Sequence, residues 1–175
     1  MCIKSLIRTI PDHPKPGVQF RDITSLLENP KGLRTAVKSL AEPFLGERVD
    51  KVVGIEARGF LFGAGVALEL EAGFVPVRKP GKLPGPTVGR DYELEYGTDR
   101  VEVHADALAP GERVLIVDDL IATGGTAQAT VQLIQEIGAE IVGCAFVIDL
   151  PDLGGSRRIA ANNLRVVSLC SFEGE

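Results

Sequence analysis

The chain is poor in the residues that mark disulfide-stabilised and zinc-binding proteins. Its 175 residues contain no tryptophan, two histidines and three cysteines. The cysteines, Cys2, Cys144 and Cys170, form no CxxC pair and leave an odd count, which favours a reducing, cytoplasmic compartment. The histidines, His13 and His104, match no metal-ligand spacing.

Neither an excess of positive charge nor a long apolar run is present. The net charge of −5 argues against general nucleic-acid binding, which rests on a basic surface. The longest apolar run, at 141–148, is much shorter than the ~20 residues of a membrane span and predicts a buried strand. With 45% hydrophobic residues, the chain is predicted to form one domain, residues 1–175, with a substantial core. We therefore expect small-molecule partners, no nucleic acid and no membrane.

Apolar strands alternate with helical segments through most of the chain. Helices are indicated at 30–44, at 61–70, and from the glycine turn near 125 up to Gly138. This alternation predicts an α/β fold, a mostly parallel central sheet flanked by helices. In such folds ligands bind outside the carboxyl ends of the strands. The strands are predicted at 51–55, 74–79, 113–119, 140–148 and 164–170.

Two segments rich in proline and glycine interrupt this pattern. Residues 80–91 hold three prolines and three glycines in twelve positions, so an irregular loop is predicted, and its length favours a functional lid. Residues 92–96 and 100–104 alternate apolar and polar side chains around a glycine, which predicts a hairpin. Residues 11–22 are likewise predicted to be irregular.

The segment "VLIVDDLIATGGT", residues 114–126, joins an apolar strand to a glycine turn. A turn that opens onto a helix N-terminus attracts phosphate, because free N–H groups and the positive end of the helix dipole point at it. Gly124 and Gly125 allow close backbone approach and positive φ. Thr123 and Thr126 add hydroxyl groups, and Thr126 is also a candidate helix cap. The turn therefore predicts an anion cradle.

An acidic pair, Asp118 and Asp119, directly precedes this turn. Ionised carboxylates only accept hydrogen bonds and would repel a phosphate, so the vicinal hydroxyls of a ribose are their natural partners. Neither the GxxxxGK[ST] turn nor a GxGxxG fingerprint follows the strand. Taken singly, a glycine turn or an acidic pair is usually structural. In this order, they predict a site for a phosphorylated pentose.

This segment resembles the phosphoribosyl-pyrophosphate motif of the type I phosphoribosyltransferases. The stretches "PKPGVQFRDIT", "GIEARGFLFG", "VRKPGKLPG" and "YELEYGTD" extend the resemblance over nearly the whole chain, and they match the adenine-using members. The resemblance implies the type I fold, with an N-terminal hood at about 1–30 and a flexible lid ribbon at about 80–99. The implied reaction transfers the 5-phosphoribosyl group from phosphoribosyl pyrophosphate to adenine, and gives AMP and pyrophosphate.

Negative charge develops on the leaving pyrophosphate in that reaction. Because the net charge of the chain has the wrong sign, a local basic patch must attract the substrate, and screening limits its reach to ~8 Å. The resemblance implies that Ala57 and Arg58 belong to the pyrophosphate loop, with Arg58 a catalytic candidate, and that Arg78 and Lys79 meet the same group. Lys82 is a further basic candidate. Members of the family can hold a cis peptide bond in this loop, which here is expected between Glu56 and Ala57.

Fewer sequence features point to the part of the site that would bind adenine. The resemblance places residues 18–21, including Phe20 and Arg21, over the base, and Leu120 against its face. Glu95 matches the carboxylate proposed to accept the purine proton, which makes it the second catalytic candidate. Tyr96 is expected to help close the lid. The remaining substrate-binding candidates are Asp118, Asp119, Ala122, Thr123, Gly124, Gly125 and Thr126.

Magnesium is the implied cofactor, bound mainly through the substrate pyrophosphate, so no residue is assigned as a direct metal ligand. The family also implies a homodimer, with residues 58–63 as a candidate contact. Two alternatives remain open: an enzyme of this fold that uses another purine base, and a regulator of this fold that binds effectors without turnover. Such regulators usually carry an added DNA-binding segment, which the first thirty residues do not predict.

Overall fold

The computed structural model describes residues 1–174, which contain nine strands and five α-helices. Three short 3₁₀ helices are also present, at Ile3–Leu6, Glu42–Phe44 and Pro151–Leu153. In chain order the elements are β1 (Arg8–Pro11), β2 (Gln19–Asp22), α1 (Thr24–Glu28), α2 (Pro30–Ala41), β3 (Lys51–Ile55), α3 (Gly59–Glu69), β4 (Gly73–Val77), β5 (Thr87–Glu93), β6 (Thr98–His104), β7 (Arg113–Ile121), α4 (Gly125–Ile137), β8 (Glu140–Asp149), α5 (Gly155–Ala160) and β9 (Val166–Ser171).

A five-stranded parallel sheet forms the centre of the molecule, in the order β4–β3–β7–β8–β9. Its strands are apolar along most of their length because both faces are covered. In β7, Leu115 and Val117 belong to the core on the α2–α3 side, whereas Val114 and Ile116 belong to the core on the α4 side. The predicted parallel sheet flanked by helices is confirmed.

Local sequence signals set the ends of the helices. Asn29 caps α2, because its side chain accepts hydrogen bonds from Lys31 N and Gly32 N. Pro30 occupies the first helical position, where no N–H is needed. Gly138 ends α4 with a left-handed φ of 92°, as predicted. Within residues 1–174, no helix combines the length and the apolar character that a bilayer-spanning helix needs.

Two antiparallel ribbons, β1–β2 and β5–β6, lie outside the central sheet. The prediction that residues 11–22 and 80–91 are irregular throughout is therefore wrong at Pro11, at 19–22 and at 87–91. Gly89 sits inside β5, and an added Cβ there would lie 2.7 Å from Val101 O. The glycine that suggests a loop in the sequence thus permits close pairing with β6. The hairpin turn also differs from the predicted one. Strand β5 ends at Glu93 and β6 begins at Thr98, and Leu94 N donates to Gly97 O at 2.9 Å between them.

Candidate active site

A cavity of about 760 Å³ lies at the carboxyl ends of β3 and β7. Ligand sites in parallel α/β sheets occur at this position. The β5–β6 hairpin and α5 supply the remaining walls. Twelve of the predicted site residues line the cavity: Ala57, Arg58, Lys79, Glu95, Asp118, Asp119, Leu120, Ala122, Thr123, Gly124, Gly125 and Thr126.

The turn after β7 presents backbone donors to this cavity. Gly124 has a φ of 81°, and an added Cβ would lie 2.9 Å from Gly155 Cα. α4 begins at Gly125, and the first bond of its ladder runs from Gln128 N to Gly124 O at 2.8 Å. The N–H groups of the three residues before Gln128 have no acceptor within residues 1–174. The turn therefore has the donors and the dipole to hold an anion.

Thr126 does not cap α4, so the predicted capping role is wrong. The N-cap position is Gly124, and no side chain caps it. Thr126 lies inside the first helical turn, where its Oγ1 is 3.0 Å from Tyr92 Oη. The hydroxyl group thus faces the hairpin across the cavity.

The acidic pair is held by neighbouring backbone and by one arginine. Strand β7 continues past the pair to Ile121, where the sequence predicts an end at Asp119. Asp118 Oδ1 accepts a hydrogen bond from Asp119 N at 2.8 Å. Asp119, which is 5% exposed, accepts a bond from Arg58 Nε at 2.6 Å. Gly59 makes room for this arrangement, because an added Cβ would lie 2.9 Å from Asp118 Oδ1.

Two carboxylates this close affect each other's protonation. Burial and the neighbouring Asp119 carboxylate raise the pKa of Asp118 well above its ordinary value, and Arg58 only partly opposes them. A ribose hydroxyl that donates to Asp118 would stabilise its charged form.

The loop after β3 carries the expected cis peptide bond between Glu56 and Ala57. Glu56 Oε1 accepts a hydrogen bond from Arg78 Nε at 2.7 Å, and Arg78 lies directly after β4. Arg78 also pairs through its backbone with Glu102 of β6. Glu56 thus orients a basic side chain at the edge of the cavity, although Arg78 does not line it.

A polar network connects the hairpin to the body of the protein. Lys79 Nζ donates to Tyr92 Oη at 2.7 Å and to the carboxylate of Asp99. Burial opposes the charge on Lys79, but the bonds to Asp99 and Tyr92 outweigh it and raise the pKa of the ammonium group. Because Tyr92 also contacts Thr126, the network joins the segment after β4, both strands of the hairpin and α4.

Five predicted site residues do not line the cavity, and two of these are in the N-terminal ribbon. Phe20 of β2 is half-buried, with its ring centroid 6.0 Å from the Arg58 guanidinium carbon, so it lies beside the site. Arg21 points away, because it donates to Thr9 Oγ1 at 2.7 Å and stacks 4.4 Å from the centroid of Phe172.

The other three are Arg78, Lys82 and Tyr96. Lys82 and Tyr96 are exposed in the loop before β5 and in the hairpin turn, and Tyr96 is 87% exposed. Their predicted roles require contact with a ligand or a movement of the hairpin, so they stay predictions.

Several cavity residues were not predicted from the sequence. Tyr92, Glu93 and Leu94 come from the hairpin, Glu56 from the loop after β3 and Arg158 from α5. Tyr92 was detectable, since it lies inside the quoted "YELEYGTD" stretch. Arg158 belongs to no motif, and only the packing of α5 brings it to the cavity.

Two further features of the described residues bear on the chemistry open to the protein. Within the described residues, no group of three or more His, Cys, Asp or Glu side chains is placed to hold a metal ion. The buried Cys144 is also unsuited to chemistry, because burial raises the pKa of its thiol to about 12.

The chain as a whole has counterparts among known proteins. A family model described as the phosphoribosyl transferase domain matches residues 22–167. The chain belongs to the phosphoribosyltransferase family. Two curated relatives in this family are adenine phosphoribosyltransferases. The one from Methylobacillus flagellatus is 62% identical over 99% of this chain and 98% of its own. The one from Nitrosomonas europaea is 59% identical over 99% of both chains.

Solved phosphoribosyltransferase structures share the fold. The crystal structure of adenine phosphoribosyltransferase from Rhodothermus marinus has a TM-score of 0.91 and 54% identity, and covers 97% of this chain and 96% of its own. The Saccharomyces cerevisiae enzyme, solved with adenine and an imino-altritol bisphosphate, has a TM-score of 0.89 and 39% identity over 96% of both chains. The type I phosphoribosyltransferase fold expected from the sequence is confirmed.

Proposed function

We propose that the protein transfers the 5-phosphoribosyl group from phosphoribosyl pyrophosphate to adenine, with AMP and pyrophosphate as products. The observation that carries the proposal is one cavity in which the turn at 122–126, here called the phosphate turn, meets Arg58 and the acidic pair Asp118 and Asp119. The relatives that match this chain over nearly its full length are adenine phosphoribosyltransferases, which supports adenine as the acceptor.

The 5-phosphate of the sugar is proposed to sit in the turn at 122–126. The N–H groups at the start of α4 would donate to it, and the Thr123 and Thr126 hydroxyls would add side-chain donors. Asp118 and Asp119 would then accept hydrogen bonds from the ribose hydroxyls. This orientation directs the anomeric carbon toward the pyrophosphate loop and the base.

The pyrophosphate is proposed to replace the carboxylates that pair with three basic side chains in the free protein. Arg58 is paired with Asp119, Arg78 with Glu56 and Lys79 with Asp99. These pairs would hold the three basic side chains in place until the pyrophosphate takes over from the carboxylates. Arginine and lysine donors at the leaving group would stabilise the charge that develops there as its bond to the anomeric carbon breaks.

The donor set of the site is compatible with magnesium, which prefers oxygen ligands and usually keeps waters and substrate phosphates around it. Asp118 and Asp119 are the carboxylates that would hold the ion, through water and together with the substrate pyrophosphate. Magnesium would supply charge neutralisation for the pyrophosphate.

The proton of the base is proposed to go to Glu95. Adenine N9 forms a bond to the anomeric carbon, the bond to the pyrophosphate oxygen breaks with its electron pair on the leaving group, and the imidazole proton moves to the carboxylate. Glu95 lines the cavity from the hairpin turn, where it is exposed. Closure of the hairpin would bring it to the base and exclude water.

The assay that tests this function compares the four purine bases. The protein is mixed with phosphoribosyl pyrophosphate, magnesium and adenine, guanine, hypoxanthine or xanthine, and the nucleotide formed is measured by chromatography. We expect AMP from adenine and little product from the other three. Product mainly from another base would replace adenine in the proposal. Absence of any nucleotide would favour the effector-binding regulator.

A homodimer is proposed as the assembly, on the apolar surface of α3. Leu61 is 52% exposed and Leu68 is 81% exposed, and both lie on a helix that carries no charged residue between them. Association would cover these side chains. Sedimentation velocity is expected to give twice the chain mass, with a shift toward the monomer in Leu61→Glu. An unchanged dimer in that variant would place the interface elsewhere.

A further inference from the structure

Three basic side chains line the cavity, and they differ in whether a carboxylate pairs with them. Arg58 is paired with Asp119, and Lys79 with Asp99. The Arg158 side chain makes no ion pair and no hydrogen bond with any residue in the described range 1–174. Arg158 is thus a cation of the cavity wall whose charge is available to an anionic ligand.

The packing of α5 places Arg158 beside the phosphate turn. Gly155 N donates to Ala122 O at 2.9 Å, so the start of α5 is fixed against the turn itself. Asn162 Nδ2 donates to Gln128 Oε1 at 2.9 Å, which fixes the residues after α5 against the first turns of α4. Arg158 follows Gly155 by three residues, a spacing that puts both on one face of α5, and Asn162 lies in the turn just after the helix. That face is turned toward the N-terminus of α4.

Gly155 allows this close packing. An added Cβ at Gly155 would lie 2.4 Å from Ala122 O and 2.8 Å from Gly124 N. Contacts this short are with backbone atoms, which cannot move aside without distorting the turn. The distance from α5 to the phosphate turn is therefore set by the backbone, and so is the position from which Arg158 reaches the cavity.

We propose that Arg158 is a further substrate-binding residue, whose guanidinium group binds the 5-phosphate held by the turn at 122–126. This inference rests on the proposed function, because it takes a sugar phosphate as the ligand. The turn supplies backbone N–H groups and hydroxyls, which carry no net charge, and a phosphate monoester carries a charge of about −2 at neutral pH. Arg158 supplies a cation that is not occupied by a carboxylate, and its planar fork can bind two phosphate oxygens.

The neighbouring Arg157 provides a matched control on the same helix. Its side chain donates to Pro151 O at 3.0 Å, and it does not line the cavity. Arg157→Ala and Arg158→Ala therefore remove the same charge from adjacent positions, and only the second change removes it from the cavity wall. Arg158→Lys keeps the charge and loses the fork.

The experiment measures binding of ribose 5-phosphate and of pyrophosphate, separately, by titration calorimetry on the wild type and the three variants. In Arg158→Ala the Kd for ribose 5-phosphate is expected to rise about tenfold or more, the size expected for one charge-assisted hydrogen bond. The Kd for pyrophosphate is expected to stay within about twofold, Arg157→Ala to match the wild type, and Arg158→Lys to recover part of the affinity. The KM for phosphoribosyl pyrophosphate is expected to rise in parallel.

Three outcomes would overturn the inference: an unchanged Kd for ribose 5-phosphate in Arg158→Ala, an equal loss in Arg157→Ala, or a loss confined to pyrophosphate. The proposed function is judged separately, by turnover of the wild type with the four purines. If the wild type makes AMP and Arg158→Ala binds ribose 5-phosphate normally, only the assignment of Arg158 fails. If the wild type makes no nucleotide but Arg158→Ala loses ribose 5-phosphate, the assignment stands and the reaction fails.

Discussion

The turn between β7 and α4 and the β5–β6 hairpin face each other across the cavity, and they are built in opposite ways. The turn is fixed by backbone contacts, such as Gly155 N to Ala122 O at 2.9 Å, and follows a strand buried on both faces. The hairpin contacts the core through Val101 and Val103 of β6 and, in part, through Tyr92 of β5. Its tip is exposed, and polar side chains connect it to the rest of the protein.

This difference leads us to expect different roles for the turn and the hairpin. A rigid turn keeps its donors in place before the ligand arrives, so little ordering is needed on binding. We expect the tip of the hairpin, which is attached by a few hydrogen bonds with a net value of about 1 kcal/mol each, to move more easily than the turn. Changes in the turn are therefore expected to act on substrate affinity, and changes in the hairpin on turnover and opening.

Loss of both carboxylates from the turn is expected to have the largest effect. In Asp118→Asn with Asp119→Asn, kcat/KM for phosphoribosyl pyrophosphate should fall by about 100-fold or more, because each charged acceptor is worth ~1.5–3 kcal/mol. Asp106→Asn, an exposed change just after β6, is the control and should keep wild-type kinetics. Steady-state assays check the result, and unchanged kinetics in a folded double variant would remove the ribose assignment.

A change at the tip of the hairpin should affect a different parameter. Glu95→Gln keeps the shape of the side chain but cannot accept the purine proton, so kcat is expected to fall by about 100-fold. The Kd for adenine should change by less than about threefold. Asp91→Asn lies in the same hairpin and outside the cavity, and serves as the control. A rise in KM for adenine at constant kcat would contradict a role in proton transfer.

The polar attachment of the hairpin is tested by Tyr92→Phe. This change removes the hydroxyl that contacts Lys79, Asp99 and Thr126. Because one net hydrogen bond is worth about 1 kcal/mol, hydrogen exchange of the hairpin amides is expected to accelerate about fivefold. Tyr96→Phe, at an exposed tyrosine of the same hairpin, should leave exchange unchanged. Equal exchange in Tyr92→Phe and the wild type would mean that the network does not hold the hairpin.

The smallest effect is expected on the stability of the ligand-free protein. Burial and the Asp119 carboxylate raise the folded-state pKa of Asp118. The folded state therefore binds this proton more tightly than the unfolded state, and the free energy of unfolding decreases as pH rises from about 4 through the folded-state pKa. Asp118→Asn removes this penalty.

At neutral pH, Asp118→Asn should raise Tm by about 2–4 °C, the shift that about 1 kcal/mol produces in a chain of this length. The gain should vanish near pH 4, where Asp118 is protonated in the folded protein and increasingly so in the unfolded chain. Thermal melts at several pH values measure this dependence. A lower Tm at neutral pH would mean that the charge of Asp118 stabilises the fold.

The central sheet, the helices α2, α3 and α4 and the glycine turn at 122–126 could be predicted from the sequence because their signals are local, whereas the short helices α1 and α5 were missed. An apolar run, two adjacent acids and a Gly-Gly pair follow one another between Val114 and Thr126. The stop at Gly138 is equally local, since a positive φ there suits glycine. These features need no knowledge of distant parts of the chain.

The missed features depend on tertiary contacts. Gly89 reads as a loop residue, and only its pairing with β6 makes it part of a strand. Thr126 is a good cap by residue type, but the cap position is Gly124, which has a φ of 81° and packs closely against Gly155. Arg158 has no motif of its own, and its position follows from the contact of α5 with the turn. The hairpin strands were misplaced because residues 92–96 alternate beyond the point where pairing ends.

A crystal structure of the protein soaked with AMP tests the central claim most directly. We predict the phosphate against the N–H groups at the start of α4, and the two ribose hydroxyls within hydrogen-bond distance of Asp118 and Asp119. A ribose bound elsewhere, with the turn at 122–126 facing only solvent, would contradict the account.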